Sequence, residues 1–330
     1  MATKGVILSG MRPTGRLHLG HQSVLNNWVR LQEEYDCFFM VADWHALTTG
    51  WEESKEIHSN TIEMVADWLA TGLNPEKCAI FRQSAILEHA ELHLLFSMTT
   101  PLSWLERVPT YKDQIQKLGE MGKDINTYGF LGYPLLMAAD ILIYKATTVP
   151  VGEDQIPHVE LTRELARRFN HLFKPVFPEP QAIVNKEVAV LPGVDGAKMS
   201  KSYHNYIFIG ADVEEIKKNV NLMVTDPARI RKTDPGNPDV CVVHKFHRIY
   251  NPDVLKGIET ECRAGQIGCV ACKKQLAGVL EQNLAPIRER REDILAKKGY
   301  IEEILQAGEE KARESARKTM EQVREAILGQ

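Results

Sequence analysis

An α/β fold is predicted for the first two-thirds of this 330-residue chain, with a helical remainder. Three observations predict it. Short apolar runs recur at residues 5–8, 37–43 and 78–81, the length of buried strands. Amphipathic segments of helical length lie between them, and that alternation implies βαβ units and a parallel sheet. Beyond about Tyr206 only helical spacing is left.

The elements follow in order. The strand at 5–8 runs into a turn punctuated by Gly10, Gly15 and Gly20 and stiffened by Pro13. A helix over 24–31 follows, with Val24, Leu25, Trp28 and Leu31 at helical spacing. Strand 37–43, helix 57–69 and strand 78–81 continue the rhythm. Residues 84–131 are more polar and read as an insertion between two halves of a nucleotide-binding fold. Helix 133–144 has Pro134 in its first turn. Strand 147–151, helix 158–169 and strand 182–184 complete this half. Helices are predicted at 213–224, 254–263, 270–283 and 286–297. A last one keeps Ala312, Ala316, Met320, Val323 and Ile327 on one apolar face. The domains are thus 1–206 and 207–330.

Composition narrows the function. A net charge of −4 gives no global basic field, so any nucleic-acid contact must use a local face. No apolar run approaches about 18 residues, so no membrane span is expected. Residues 1–4 lead directly into the first strand with no signal peptide, and Cys37 and Cys78 read as core thiols in a reducing cytoplasm.

Two distant segments carry chemistry: His18-Leu19-Gly20-His21 and Lys198-Met199-Ser200-Lys201-Ser202. The first lies on a strand–turn–helix junction, which aims backbone N–H groups at an anion. Gly20 allows close approach of a ligand such as adenine, and both histidines can donate to phosphate oxygens. Two satisfied histidines at a helix N-terminus are the plainer alternative. The second segment follows a Gly- and Pro-rich lead-in, 192–197, that predicts a loop. Together they offer imidazoles and two ammonium groups for a nucleotide triphosphate and a departing pyrophosphate.

In the helix 133–144, Tyr133, Met137 and Asp140 share a face. A carboxylate on so apolar a helix needs a donor. A ligand's indole N–H, which can only donate, suits it, and a core Arg or Lys is the alternative. Gly152-Glu153-Asp154-Gln155 lies at the carboxyl end of a predicted strand, where ribose hydroxyls can be accepted, or where Asp154 can cap the following helix. Cys241, Cys262, Cys269 and Cys272, spaced x₂₀, x₆ and x₂, can hold a tetrahedral or cubane metal centre. Zinc remains open beside iron–sulfur.

The pair His-x-Gly-His and Lys-Met-Ser-Lys-Ser resembles the class I aminoacyl-tRNA synthetases. Tyr133-Pro134 through Asp140 and Val149-Pro150 through Gln155 are similar to the tryptophanyl-tRNA synthetases. The resemblance implies a Rossmann-like catalytic domain followed by an α-helical anticodon-binding domain. It implies that tryptophan and ATP, with Mg²⁺, form an adenylate and pyrophosphate before tryptophan passes to tRNA(Trp). His18, His21, Lys198 and Lys201 would be catalytic. Arg12 (where many relatives carry Gln), Pro13, Thr14, Gly20, Gly152, Glu153, Asp154, Leu191, Met199, Ser200 and Ser202 would complete the ATP site. Asp140 would receive the indole N–H and Met137 pack on the ring. Tyr133 and Gln155 would hold the amino group, with His45 and Gly10 lining the pocket. The cysteines resemble a C-x₂₂-C-x₆-C-x₂-C motif that holds a [4Fe–4S] cluster in a subset of these enzymes, with a shorter first gap. A cytoplasmic homodimer with the insertion at its interface is implied. A tyrosyl-tRNA synthetase, or a non-catalytic Fe–S regulator that binds RNA, would be the alternatives.

Overall fold

The computed structural model of the protein describes residues 4–108, 127–184 and 191–329. Its first half is a five-stranded parallel sheet in the order β3-β2-β1-β4-β5. The strands are β1 (Val6–Met11), β2 (Asp36–Val41), β3 (Cys78–Arg82), β4 (Thr148–Val151) and β5 (Gln181–Val184). β1 and β2 pair from Val6↔Asp36 to Met11↔Val41, and β3 continues the register from Cys37↔Cys78. The expected parallel βαβ sheet is therefore present. Its order reverses between β1 and β4, and a crevice opens beyond the carboxyl ends there.

Strand alternation divides the core in two. Ile7, Cys37, Phe39, Cys78 and Ile80 face one side, against α1 (Gln22–Leu31) and α3 (Ile57–Ala70). There Trp28 stacks on Phe39 with ring centroids 4.6 Å apart. Leu8, Phe38, Met40 and Phe81 face the other side. They meet α4 (Glu88–Thr99), α7 (Tyr133–Ile143) and α8 (Ile156–Leu172). Between them in sequence lie α2 (Asp43–Gly50), α5 (Leu102–Glu106) and α6 (Tyr128–Leu131). Asp43 opens α2 rather than ending a strand.

The second half contains α9 (Val213–Leu222), α10 (Val242–Tyr250), α11 (Leu255–Arg263), α12 (Cys269–Ala296) and α13 (Tyr300–Leu328). Here the structure corrects the sequence reading in three ways. The two helices expected at 270–283 and 286–297 are one, running through Pro286. A proline inside a helix costs roughly 3 kcal/mol. Leu276, Leu280, Leu284 and Ile287 are all buried across it, and burying each aliphatic side chain contributes about 1.5–3 kcal/mol. The amphipathic α10 was not anticipated, because its apolar face is short. The last helix leaves the helical half: Ala312, Ala316, Met320 and Val323 join the core cluster around Phe81. Gly308 makes this close approach to β3 possible, since a Cβ there would fall 2.0 Å from the Ile80 carbonyl oxygen. No helix among the described residues is long and apolar enough to cross a membrane.

Candidate active site

The loop after β1 is held by the start of the helical half. Leu19 N–H donates to Ile207 O at 2.9 Å, and Ile209 N–H donates to Leu17 O at 2.9 Å. Within it, His18 Nδ1 accepts the Gly20 N–H at 3.2 Å, and His21 Nδ1 accepts the His18 N–H at 3.4 Å. Each neutral ring therefore carries its proton on Nε2, free to donate. The rings lie 4.0 Å apart. Burial, then His21 and Lys201, pushes His18 down to about 3. Burial, then Lys201, pushes His21 down to about 4. These histidines are neutral donors at pH 7, and the positive charge comes from the lysines.

The second segment folds onto the first. Lys201 Nζ donates to Thr14 O. A Cβ at Gly20 would lie 2.9 Å from the His18 ring and 3.7 Å from Met199 Cβ, so glycine is already needed for packing. Ser200 caps the turn Lys201–Tyr203, which includes Ser202, by accepting the Ser202 N–H. Lys198 is exposed at the loop's rim and Met199 is buried. Asn205 ties the loop. Its Oδ1 accepts the Ser200 N–H at 2.8 Å, while its Nδ2 donates to Asp195 Oδ1 at 2.9 Å and Lys198 O at 3.1 Å. Sequence reasoning missed Asn205, whose signal is a lone buried amide three residues past the motif.

Pro13 is buried, and exposed Arg12 reaches Thr49 Oγ1 at 3.2 Å. Gly152, Glu153 and Asp154 stand exposed at the carboxyl end of β4, and Gln155 Nε2 donates to Asp154 Oδ2 at 2.8 Å. Leu191 and Leu19 line a cavity of about 450 Å³ with Gln22, Asn26, Tyr250 and Asn283. Gly10 carries β1 past β2, since a Cβ would sit 2.7 Å from Met40 O. Tyr133 is the meeting point. Its ring lies 4.4 Å from His45. Burial raises its phenol, Arg12 opposes this, and the Asp140 and Asp154 charges add to it. Met137 is partly buried beside the same core.

Asp140 is 1% exposed and, among the described residues, pairs with histidines rather than with Arg or Lys. His45 Nε2 meets Oδ2 at 2.7 Å and His89 Nδ1 meets Oδ1 at 2.6 Å. Gln83 Nε2 lies 2.9 and 3.0 Å from the two oxygens. Burial alone would raise this carboxyl, but the two histidine hydrogen bonds outweigh it and hold the group well below the usual carboxylate range. Gln83 and His89 were not foreseen, because both fall at the edge of the segment read as an insertion. Part of that segment, residues 109–126, lies outside the described residues. Within the described part of that segment, α4 packs against α7 as core.

Cys241, Cys262, Cys269 and Cys272 line one cavity together with Arg229, His244 and Ile267. Among the described residues, no group of three or more His, Cys, Asp or Glu side chains is assembled as a metal site. The four-cysteine metal centre expected from the spacing is thus not shown.

The family model for class I tRNA synthetases of the tryptophan and tyrosine type matches residues 2–285. The chain belongs to this family. A tryptophan–tRNA ligase from Thermotoga maritima is 52% identical over 97% of this chain and 98% of its own length. One from Aquifex aeolicus is 46% identical over 97% and 99%. A Campylobacter jejuni tryptophanyl-tRNA synthetase, solved with ADP and tryptophan, superposes with a TM-score of 0.89 at 34% identity, covering 98% of this chain and 99% of that one. The activity of this synthetase is tryptophan–tRNA ligation.

Proposed function

We propose that the crevice between β1 and β4 carries out both half-reactions with the residues named above. The observation that carries this reading is the contact between the two distant segments, Lys201 Nζ on Thr14 O, beside the donor-ringed Asp140. The tryptophan carboxylate attacks the α-phosphorus of ATP, the bond to the β-phosphate oxygen breaks, and pyrophosphate leaves. No side-chain nucleophile is required, so the protein's part is positioning and charge stabilisation. The Nε2–H groups of His18 and His21 donate to phosphate oxygens, and Lys198 and Lys201 neutralise the leaving group. Gly152, Glu153 and Asp154 accept the ribose hydroxyls, with Leu191 and Met199 against the adenine. Mg²⁺ supplies further neutralisation of the phosphates. Tryptophan then passes to the terminal adenosine of its tRNA, whose anticodon arm meets the helical half.

Amino-acid choice rests on Asp140. A carboxylate offers about four acceptor positions. Two are held by the histidines, and the other two are shared by the single Gln83 amide nitrogen, so the indole N–H takes one of the two that Gln83 spans, beside Tyr133, Met137, Gln155, His45 and Gly10. Pyrophosphate exchange with each amino acid tests the whole reading. Tryptophan should support exchange and tyrosine should not. Exchange with tyrosine would point to a tyrosyl enzyme, and none with either to a non-catalytic RNA-binding relative.

Two finer features belong to this reading. The four cysteines suit a [4Fe–4S] cluster, because all four line one cavity. Burial raises the Cys241 thiol, and burial, then the neighbouring thiols, pushes Cys272 up to about 12. A thiolate set there needs a cationic centre. Arg229 Nη1 already lies 3.9 and 3.8 Å from Cys262 and Cys269 Sγ. The cluster would sit among these four sulfurs, near the anticodon arm, with zinc as the other occupant of the same ligands. Leu87, just before α4, and Leu94, Met98, Leu102 and Tyr128 on α4 to α6 are exposed apolar residues, and they suit a homodimer contact. A mass of twice the chain in solution is expected.

A further inference from the structure

We infer that His89, locked by Tyr144, is a positioning residue for tryptophan selection: it holds the Asp140 carboxylate in the orientation in which the substrate N–H can take one of the two positions that Gln83 spans. This rests on the reading of Asp140 as the indole acceptor.

The geometry starts in the sequence of α7. Asp140 and Tyr144 are one helical turn apart, so their side chains lie on the same face. A single imidazole bridges them. His89 Nδ1 meets Asp140 Oδ1 at 2.6 Å and its Nε2 meets the Tyr144 hydroxyl at 2.7 Å. His89 is fully buried at the start of α4 and Tyr144 is 2% exposed. Tyr144 is itself fixed by stacking on Phe38, with centroids 4.5 Å apart.

Only one tautomer satisfies this chain. An ionised carboxylate is acceptor-only, so Nδ1 must carry the proton facing Asp140. Nε2 is then an acceptor and requires an O–H from Tyr144. Burial, then the Asp140 charge, raises the Tyr144 phenol well above its ordinary range, so that proton stays in place. The carboxylate thus sets the tautomer, and the Tyr144 hydroxyl, donating to Nε2, holds the ring in the orientation that presents Nδ1–H to Asp140. On the other side, His45 Nε2 approaches Oδ2, and Gln83 Oε1 accepts the His45 N–H at 3.3 Å while its amide spans both oxygens. The carboxylate is gripped from α2, from the turn after β3 and from α4. Without His89, Oδ1 loses its shortest bond, and the carboxylate can turn the side shared with Gln83 away from the substrate or take up a proton. A protonated carboxyl would present a donor to the indole N–H, which is also a donor.

The test compares tryptophan with its benzothiophene analogue, which replaces the indole N–H by sulfur and keeps the shape. Pyrophosphate exchange is measured for both, with melting temperature recorded for each variant. Asp140→Asn tests the underlying reading and His89→Leu tests the inference. His89→Leu should lower the tryptophan-to-analogue ratio of kcat/KM about tenfold, through KM for tryptophan rather than kcat. His89→Asn, whose amide can replace Nδ1–H, should bring the ratio back to within about threefold of the parent. Tyr144→Phe keeps the packing, frees the ring and should lower the ratio by an intermediate factor. If Asp140→Asn leaves the ratio unchanged, the reading of Asp140 fails. If Asp140→Asn collapses it while folded His89→Leu and Tyr144→Phe preserve it, the positioning role of His89 alone is overturned. Equal losses for both amino acids in His89→Leu, without rescue by Asn, would mark a purely structural histidine and also overturn it.

Discussion

Arg291 Nε on α12 donates to Asp67 Oδ1 on α3 at 2.7 Å, and the other oxygen of Asp67 accepts the Leu17 N–H at 2.5 Å. One buried carboxylate therefore ties the helical half to the residue that precedes His18. Glu63 adds a second bond to the same guanidinium. The neighbouring arginines are also used within the fold, since Arg290 donates to Ala70 O at 2.7 Å and Arg288 pairs with Glu281 at 2.6 Å.

Arg291→Leu leaves Asp67 buried without its cation. Burial raises this carboxyl and Arg291 opposes that. Breaking a buried pair from one side costs about 3–5 kcal/mol. Denaturant unfolding should show a loss of that size. Because Asp67 also holds Leu17, KM for ATP should rise in the folded fraction while KM for tryptophan changes little. A stable variant with unaltered KM for ATP would contradict the coupling.

Lys198 is exposed at the rim of its loop, where a leaving pyrophosphate would pass. Removing one such stabiliser costs on the order of 10²–10³ in rate. Lys198→Ala should slow single-turnover adenylate formation by about that factor and leave tryptophan Kd near the parent value. A raised Kd with an unchanged rate would assign Lys198 to binding instead.

His18 and His21 titrate at about 3 and about 4 when folded, below the ordinary 6.5. Between these values the unfolded chain binds more protons than the folded one, so their contribution to stability is present above about pH 6.5. It is lost as pH falls toward 4. Melting temperature should drop on going from pH 7 to pH 5, and less steeply in His18→Asn, whose amide oxygen can still accept the Gly20 N–H. An equally steep drop in that variant would place the titration elsewhere.

Protein purified without oxygen should be brown and carry about four irons per chain, as one [4Fe–4S] cluster requires. Substituting Cys272 by Ser should remove them and reduce tRNA charging more than pyrophosphate exchange, because the four cysteines line a cavity of the helical half that contains no residue of the β1 loop. Stoichiometric zinc without iron would reject the cluster and keep the ligands.

The local pattern of the sequence determined the parallel sheet. Runs such as Cys78–Phe81 and intervening helices such as Ile57–Ala70 follow from apolar spacing alone. The two signature segments are each a short unbroken run, so the expectation that they meet around ATP can be read from the sequence before any contact between them is seen. Only the tertiary structure decided the company each side chain keeps. Periodicity reports that Asp140 is on a buried face, yet its donors come from 51, 57 and 95 residues away. The same limit hid the Asn205 clamp, the Arg291–Asp67 bridge across 224 residues and the return of α13 to β3. Burial of an apolar stripe is a local demand that many neighbours can meet. Which neighbour meets it, and which donor then reaches a buried charge, depends on how distant elements pack together.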